Sequence, residues 1–248
     1  MATQADTPRA GPSGAIDLIA LDGDDTLWHN ERLYRMGRER FREVVASAGV
    51  SLPGEEIEER VNQVELRNLK YYGYGVSSFV LSLIETSIEL TDGRIPGAAI
   101  DGLLHLAREM LTAEVELFEG AREAITALAA AYPLMLITKG DLLHQRAKVD
   151  QSGLGDHFRH VEVVSSKTPE TYASILTRHA IAPDRFLMVG NSLRSDILPV
   201  LGIGGWAVHI PARLGWAHED SEPPDPATGR FFRLETLHDL PALVRALG

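Results

Sequence analysis

The chain of 248 residues contains no cysteine. Disulfides, thiolate metal sites and cysteine nucleophiles are therefore excluded. It also lacks any apolar run near the roughly 20 residues that a membrane-spanning helix requires. Positive charge is scarce: 24 Lys and Arg stand against 35 Asp and Glu, a formal net charge of -11. Such a field repels phosphate backbones and anionic bilayers, which excludes nucleic acid and membrane as general partners. It still permits a small phosphorylated metabolite held in a local positive pocket. The opening "MATQADTPRAGPSG" has no apolar core of the kind a signal peptide carries. It reads as a loose polar tail over residues 1–14, and a cytoplasmic location is the expectation.

What is present is ordinary for a soluble globular chain, with 44% hydrophobic and 24% charged residues. The length suffices for one large or two small domains. An apolar run of strand length at 16–21 suits a strand covered on both faces. From about residue 30 to 112 the apolar period becomes helical. Leu33, Met36, Phe41, Val44, Val45 and Ala48 share one face, with Asn30 as N-cap and Gly49 as the stop. Further stripes run through Ile57, Val61 and Val64, through Val76 to Ile88, and through Ile100, Leu103, Leu104, Ala107, Met110 and Leu111. Four such helices predict a small bundle.

After residue 113 the pattern alternates. Helix 121–131 leads to the strand "PLMLIT", "VEVVSS" to helix 168–180, and "RFLMVG" to helix 194–201 and then "GWAVHI". Alternation predicts an α/β fold, a Rossmann-like parallel sheet with helices on both faces. The first strand must join that sheet, so the four helices form a cap domain over 30–112, inserted between core segments 15–29 and 113–248.

In an open parallel sheet the functional groups gather at the carboxyl ends of the strands. Those ends read Asp22-Gly23-Asp24-Asp25-Thr26, Thr138-Lys139-Gly140-Asp141, Ser166-Lys167-Thr168 and Gly190-Asn191-Ser192, with Asp196 just beyond. Three carboxylates beside one another repel, and burial makes that worse, so they await positive charge. Oxygen donors without a histidine at any strand end suit Mg²⁺ rather than zinc.

These four stretches, in this order, resemble the motifs of the haloacid dehalogenase superfamily of aspartate-nucleophile hydrolases. "DGDDTL" is similar to its first motif, "LITKG" to the second, Lys167 in "SSKTPE" to the third and "VGNSLRSDI" to the fourth. The inserted helices resemble the helical cap of one class of these enzymes. The resemblance implies Asp22 as nucleophile and Asp24 as acid and base. It implies Thr138 and Lys167 as phosphoryl-binding groups, with Thr26, Lys139 and Gly140 on the substrate side. Mg²⁺ would lie on Asp22, the Asp24 carbonyl and the fourth-motif loop. An acid at position 24 points to phosphate ester chemistry, because a halide leaving group needs no proton. Hydrolysis of a small phosphate monoester through an aspartyl-phosphate is the leading expectation, beside phosphotransfer or mutase chemistry on a sugar phosphate. A non-catalytic phospho-ligand-binding protein on the same scaffold is the third.

One position departs from the motif. Asn191 stands where the pattern has Asp, and an amide brings no charge to a cation. The Asn191 amide oxygen can still coordinate Mg²⁺, and Asp196 is the alternative ligand, directly or through water. Asp25 reads as a turn cap, Lys139 as a solvated loop residue, and Arg32, Arg35 and Arg38 as a solvated helix face. Trp28 packs at the hinge or touches substrate. The tyrosines of "KYYGYG" start a cap helix and fill its end, while His209, Trp216 and His218 belong to a late polar loop without metal chemistry.

Overall fold

The computed structural model describes residues 16–212, 216, 221–224 and 229–247. The expected tail over 1–14, His218 and parts of the late loop lie outside the described residues.

The apolar runs pair into one parallel sheet. Its strands are β1 (Leu18–Leu21), β2 (Leu134–Lys139), β3 (His160–Val164), β4 (Phe186–Gly190), β5 (Trp206–His209) and β6 (Phe231–Arg233). Their order is β3-β2-β1-β4-β5-β6, so β1 is central and the order reverses beside it. Side chains alternate across the sheet. Ile19, Leu21, Leu136, Leu187 and Val189 pack against one layer, formed by α5 (Ala121–Ala129), α6 (Leu142–Ser152) and α9 (Leu240–Leu247). Leu18, Ala20, Ile137 and Met188 pack against the other, with Tyr172 and Ile175 of α7 (Pro169–Arg178) and Val200 of α8 (Leu198–Gly202). The molecule is a Rossmann-like α/β fold with helices on both faces.

Between β1 and β2 come α1 (Glu31–Ser47), α2 (Gly54–Tyr72), α3 (Val76–Leu90) and α4 (Gly97–Leu111). They share a separate core of Phe41, Val45, Val61, Phe79, Leu83, Leu103 and Met110. Met36, Ile88 and Leu104, expected on buried faces, are instead more than 40% exposed. They sit at the margins of their stripes, where single apolar side chains commonly meet water.

Four local features depart from the sequence-based expectation. The Asn30 side chain does not cap α1. The Asp25 carboxylate does, accepting from Asn30 N at 2.9 Å and Glu31 N at 3.0 Å from a left-handed turn with φ 59°. Asp tolerates that conformation because its short side chain can bond locally. Tyr71 and Tyr72 end α2 and do not start a helix. The expected helix at 194–201 is a π-helical turn, Leu193–Ile197, followed by the short α8. Finally, α6 is absent from the sequence-based alternation. Its buried residues are His144, Gln145, Lys148, Val149 and Ser152, so it carries no apolar stripe to read.

Candidate active site

The Asp22 backbone N–H donates to Val189 O at 2.9 Å, carrying the β1–β4 ladder one step past the strand. Its carboxylate thereby emerges at the carboxyl edge of the central strand. Lys167, just before the Thr168 cap of α7, donates from Nζ to Asp22 Oδ1 and, at 2.7 Å, to Asp196 Oδ1. Asp196 comes from the π-helical turn, and its Oδ2 accepts from Ser192 N at 3.0 Å. Gly190 makes this possible, since a Cβ there would overlap the Asp196 carboxyl. All three side chains are buried. Two carboxylates thus share one ammonium. Burial raises Asp22 and the Asp196 charge adds to it, and against the pull of Lys167 the net result is about 7.

Thr26, expected to touch substrate, is not on the cavity wall. It lies beneath Asp22, its hydroxyl within reach of Asp22 Oδ2 at 3.1 Å and Asn191 Oδ1 at 3.2 Å. The Thr138 hydroxyl is fully buried at the end of β2, faces the cavity and has no hydrogen-bond partner among the described residues. Lys139 is half-buried, contrary to the solvated loop residue expected. It donates to Ser195 Oγ at 2.8 Å and lies 4.2 Å over the Tyr74 ring. Gly140 turns the chain with φ 130° against Gln145 and does not line the cavity.

Asp24 is held from three directions. Trp28 Nε1 donates to its Oδ1 at 2.6 Å, Gln145 Nε2 to its Oδ2 at 2.8 Å, and Lys148 Nζ to both oxygens at 2.9 and 3.0 Å. Burial alone would raise this carboxyl, but the Lys148 charge and these donors outweigh it and lower it overall. Gly23 admits the Trp28 indole, which a Cβ would meet at 2.5 Å. Trp28 is thus a hinge-packing residue that also grips the acid.

A cavity of about 230 Å³ opens above Asp22 and Asp24. Three of these helices contribute Glu31, Tyr34 and Arg38 (α1), Glu65 (α2) and Ser78 and Phe79 (α3) to its wall, and Tyr74 joins them from the α2–α3 turn. Arg38 is buried and paired with Glu58 and Glu65, so it is no solvated residue, whereas Arg32 meets Glu116 at the surface. Tyr71 and Tyr72 are exposed, and Tyr74 is the tyrosine of that run on the wall. Burial pushes Glu31 up to about 7 and Asp25 up to about 6. The His209 ring lies 2.9 Å from Asn191 O, and Trp216 lines the cavity edge-on to Tyr74. Among the described residues no group of three His, Asp or Glu side chains is placed to hold a metal ion.

The sequence model of the haloacid dehalogenase-like hydrolases matches residues 16–202, about three quarters of the chain. This chain belongs to that family. A haloacid dehalogenase-like family hydrolase from Xanthomonas campestris is 43% identical and superposes with a TM-score of 0.84, covering 97% of this chain and 96% of its own. The L-2-haloacid dehalogenase of Xanthobacter autotrophicus, at 22% identity and TM-score 0.63, covers 94% of this chain and 100% of its own. That likeness is one of fold. The glyceraldehyde 3-phosphate phosphatase of Pyrococcus furiosus is 26% identical over 196 residues, 76% of this chain and 78% of its own.

As a family hydrolase, the chain brings Asp22, Asp24, Thr138, Lys139, Lys167, Asn191 and Asp196 to one cavity. The motifs pointed to all seven. Gln145 and Lys148 were missed, because they sit on the helix whose buried face is polar. Their only trace in the sequence is their i, i+3 spacing, two and five residues after the "DLL" that caps and opens α6.

Proposed function

We propose that the protein is a Mg²⁺-dependent phosphatase that hydrolyses a small phosphate monoester through an aspartyl-phosphate on Asp22. The single observation that carries this reading is Asp24, a second carboxylate on the same wall as the nucleophile and fixed there by Trp28, Gln145 and Lys148. Leaving-group protonation is needed for an ester oxygen and not for a halide. The likeness to a glyceraldehyde 3-phosphate phosphatase supports the same class, and a cavity of about 230 Å³ suits a small metabolite. In this reading residues 30–112 cap a core of 15–29 and 113–248, and the enzyme works on a cytoplasmic substrate.

The donor set fits Mg²⁺, since the oxygens are hard and the buried pair of carboxylates exceeds its one ammonium in charge. Asp22, the Asp24 carbonyl, Asn191 and Asp196 are the groups that would hold it. When bound, the ion would neutralise charge between nucleophile and phosphate. Thr26 keeps the Asp22 carboxylate oriented. Asp22 attacks phosphorus, the bond to the ester oxygen breaks, and Asp24 gives that oxygen its proton. The incoming phosphate charge and the departing oxygen raise the proton affinity of Asp24 for this step. Ionised again, Asp24 takes a proton from water as water attacks the aspartyl-phosphate. The Thr138 hydroxyl and the Lys167 ammonium bind the phosphoryl oxygens. The test is release of inorganic phosphate from 4-nitrophenyl phosphate with and without Mg²⁺. Release only with the ion is expected, and no release in either condition rejects the reading.

A further inference from the structure

Lys148 projects from α6 with its side chain 8% exposed. Its ammonium has three acceptors, the two oxygens of Asp24 and Asn30 Oδ1 at 2.8 Å. It is not among the residues that line the cavity. Lys148 therefore reaches a bound ester through the two residues it bonds, Asp24 and Asn30, both of which line the cavity. Each Asp24 oxygen receives one bond from Lys148 and one from a second group, Trp28 at Oδ1 and Gln145 at Oδ2. That arrangement fixes the carboxylate in both tilt and rotation.

Stability alone is a weak reason for the arrangement. Removing two charges from water costs about as much as their attraction returns, and an apolar pair of similar volume often serves a fold better. Proton transfer gives a stronger reason. An acid must lie within hydrogen-bond reach of the leaving oxygen, and misplacement by about 1 Å can cost on the order of 100-fold in rate. Asn30 adds a second constraint. It immediately precedes α1, and its backbone N–H is held by Asp25. The ammonium thus joins the acid to the start of the first cap helix.

We propose that Lys148 is a positioning residue for the proton transfers of Asp24, with Asn30 setting where the ammonium stands. The role rests on the phosphatase reading. In the first transfer the proton passes from the Asp24 carboxyl to the ester oxygen, which takes the electron pair of the broken P–O bond. In the second it passes from the attacking water to Asp24. Lys148 neither gains nor loses a proton.

The experiment compares 4-nitrophenyl phosphate, whose leaving group needs little protonation, with glycerol phosphate, whose alkoxide needs it fully. Both are assayed at saturating Mg²⁺ with the full chain and its Lys148→Met and Asn30→Ala variants. Lys148→Met should lower kcat/KM, which reads the first transfer and not the shared second one, on glycerol phosphate at least about tenfold more than on the nitrophenyl ester. Asn30→Ala should shift the ratio of the two rates the same way by about threefold. An unchanged ratio in active variants overturns the positioning role, because a merely structural lysine would depress both substrates together. If Lys148→Met does not fold, the ratio in Asn30→Ala decides by itself. Absence of phosphate release from either ester by the wild type overturns the phosphatase reading, and this role with it.

Discussion

The Lys167 ammonium donates to Asp196 Oδ1 at 2.7 Å, where each side chain is only 1% exposed. The same ammonium meets Asp22, so Asp196 fixes the cation that serves the nucleophile. With its other oxygen on Ser192 N, Asp196 is the main carboxylate of the fourth-motif loop, and Asn191 beside it is neutral. Restoring charge with Asn191→Asp should lower the Mg²⁺ concentration for half-maximal rate by about 5- to 50-fold, as for a ligand worth ~1–2 kcal/mol. Asp196→Asn should raise it and reduce turnover. A magnesium titration of phosphate release decides. An unchanged titration in Asn191→Asp, together with an inactive Asp196→Asn, would mean that Asp196 already holds the ion.

Asp22→Asn keeps the shape of the nucleophile but removes its attacking charge. Turnover should fall by at least roughly 1000-fold, and no phosphorylated protein should form. Steady-state phosphate release and the mass of acid-quenched protein measure the two effects. Near-normal hydrolysis would end the covalent mechanism.

Thr138 offers an unusual separation of stability from function. Its buried hydroxyl bonds nothing among the described residues, so the folded protein bears the cost of desolvating it. Thr138→Val should leave the melting temperature equal or higher. The same change should lower kcat/KM for a phosphate ester by about 10- to 100-fold, since a donor to the phosphoryl group is lost. Thermal unfolding and kinetics on one preparation test both halves. A less stable protein with unaltered kinetics would make the hydroxyl structural.

Burial, followed by the Asp25 charge, pushes Glu31 up to about 7 from an ordinary 4.5. Between those values the folded chain holds a proton that the unfolded chain has lost. Stability therefore falls as pH rises through that window and levels off above it. Asp22 and Asp25, raised to about 7 and about 6, contribute in the same direction. Glu31→Gln removes one such group. It should gain about 2–4 °C in melting temperature at pH ~8, corresponding to about 1 kcal/mol, and little at pH ~4.5. Thermal melts at the two pH values check this, and an equal difference at both would show that titration of Glu31 is not the cause.

The sequence alone determined the elements whose signal is local. An apolar run such as "LIAL" has one favourable place, inside a sheet covered on both faces, and alternation of such runs with helices makes that sheet parallel. Strand ends then bring Asp22, Thr138, Lys167 and Asn191 together, because parallel strands present all their carboxyl ends at one edge. Tertiary structure decided what depends on pairing between distant residues. Periodicity reports burial only when the buried face is apolar, and α6 buries His144, Gln145 and Lys148. Lys148 can be buried because Asp24 and Asn30, more than a hundred positions away, neutralise and satisfy its ammonium. Arg38 reads as a solvated residue until Glu58 and Glu65 arrive from α2. A charged side chain enters a protein interior only with its partner, and a linear sequence does not record which partner that is.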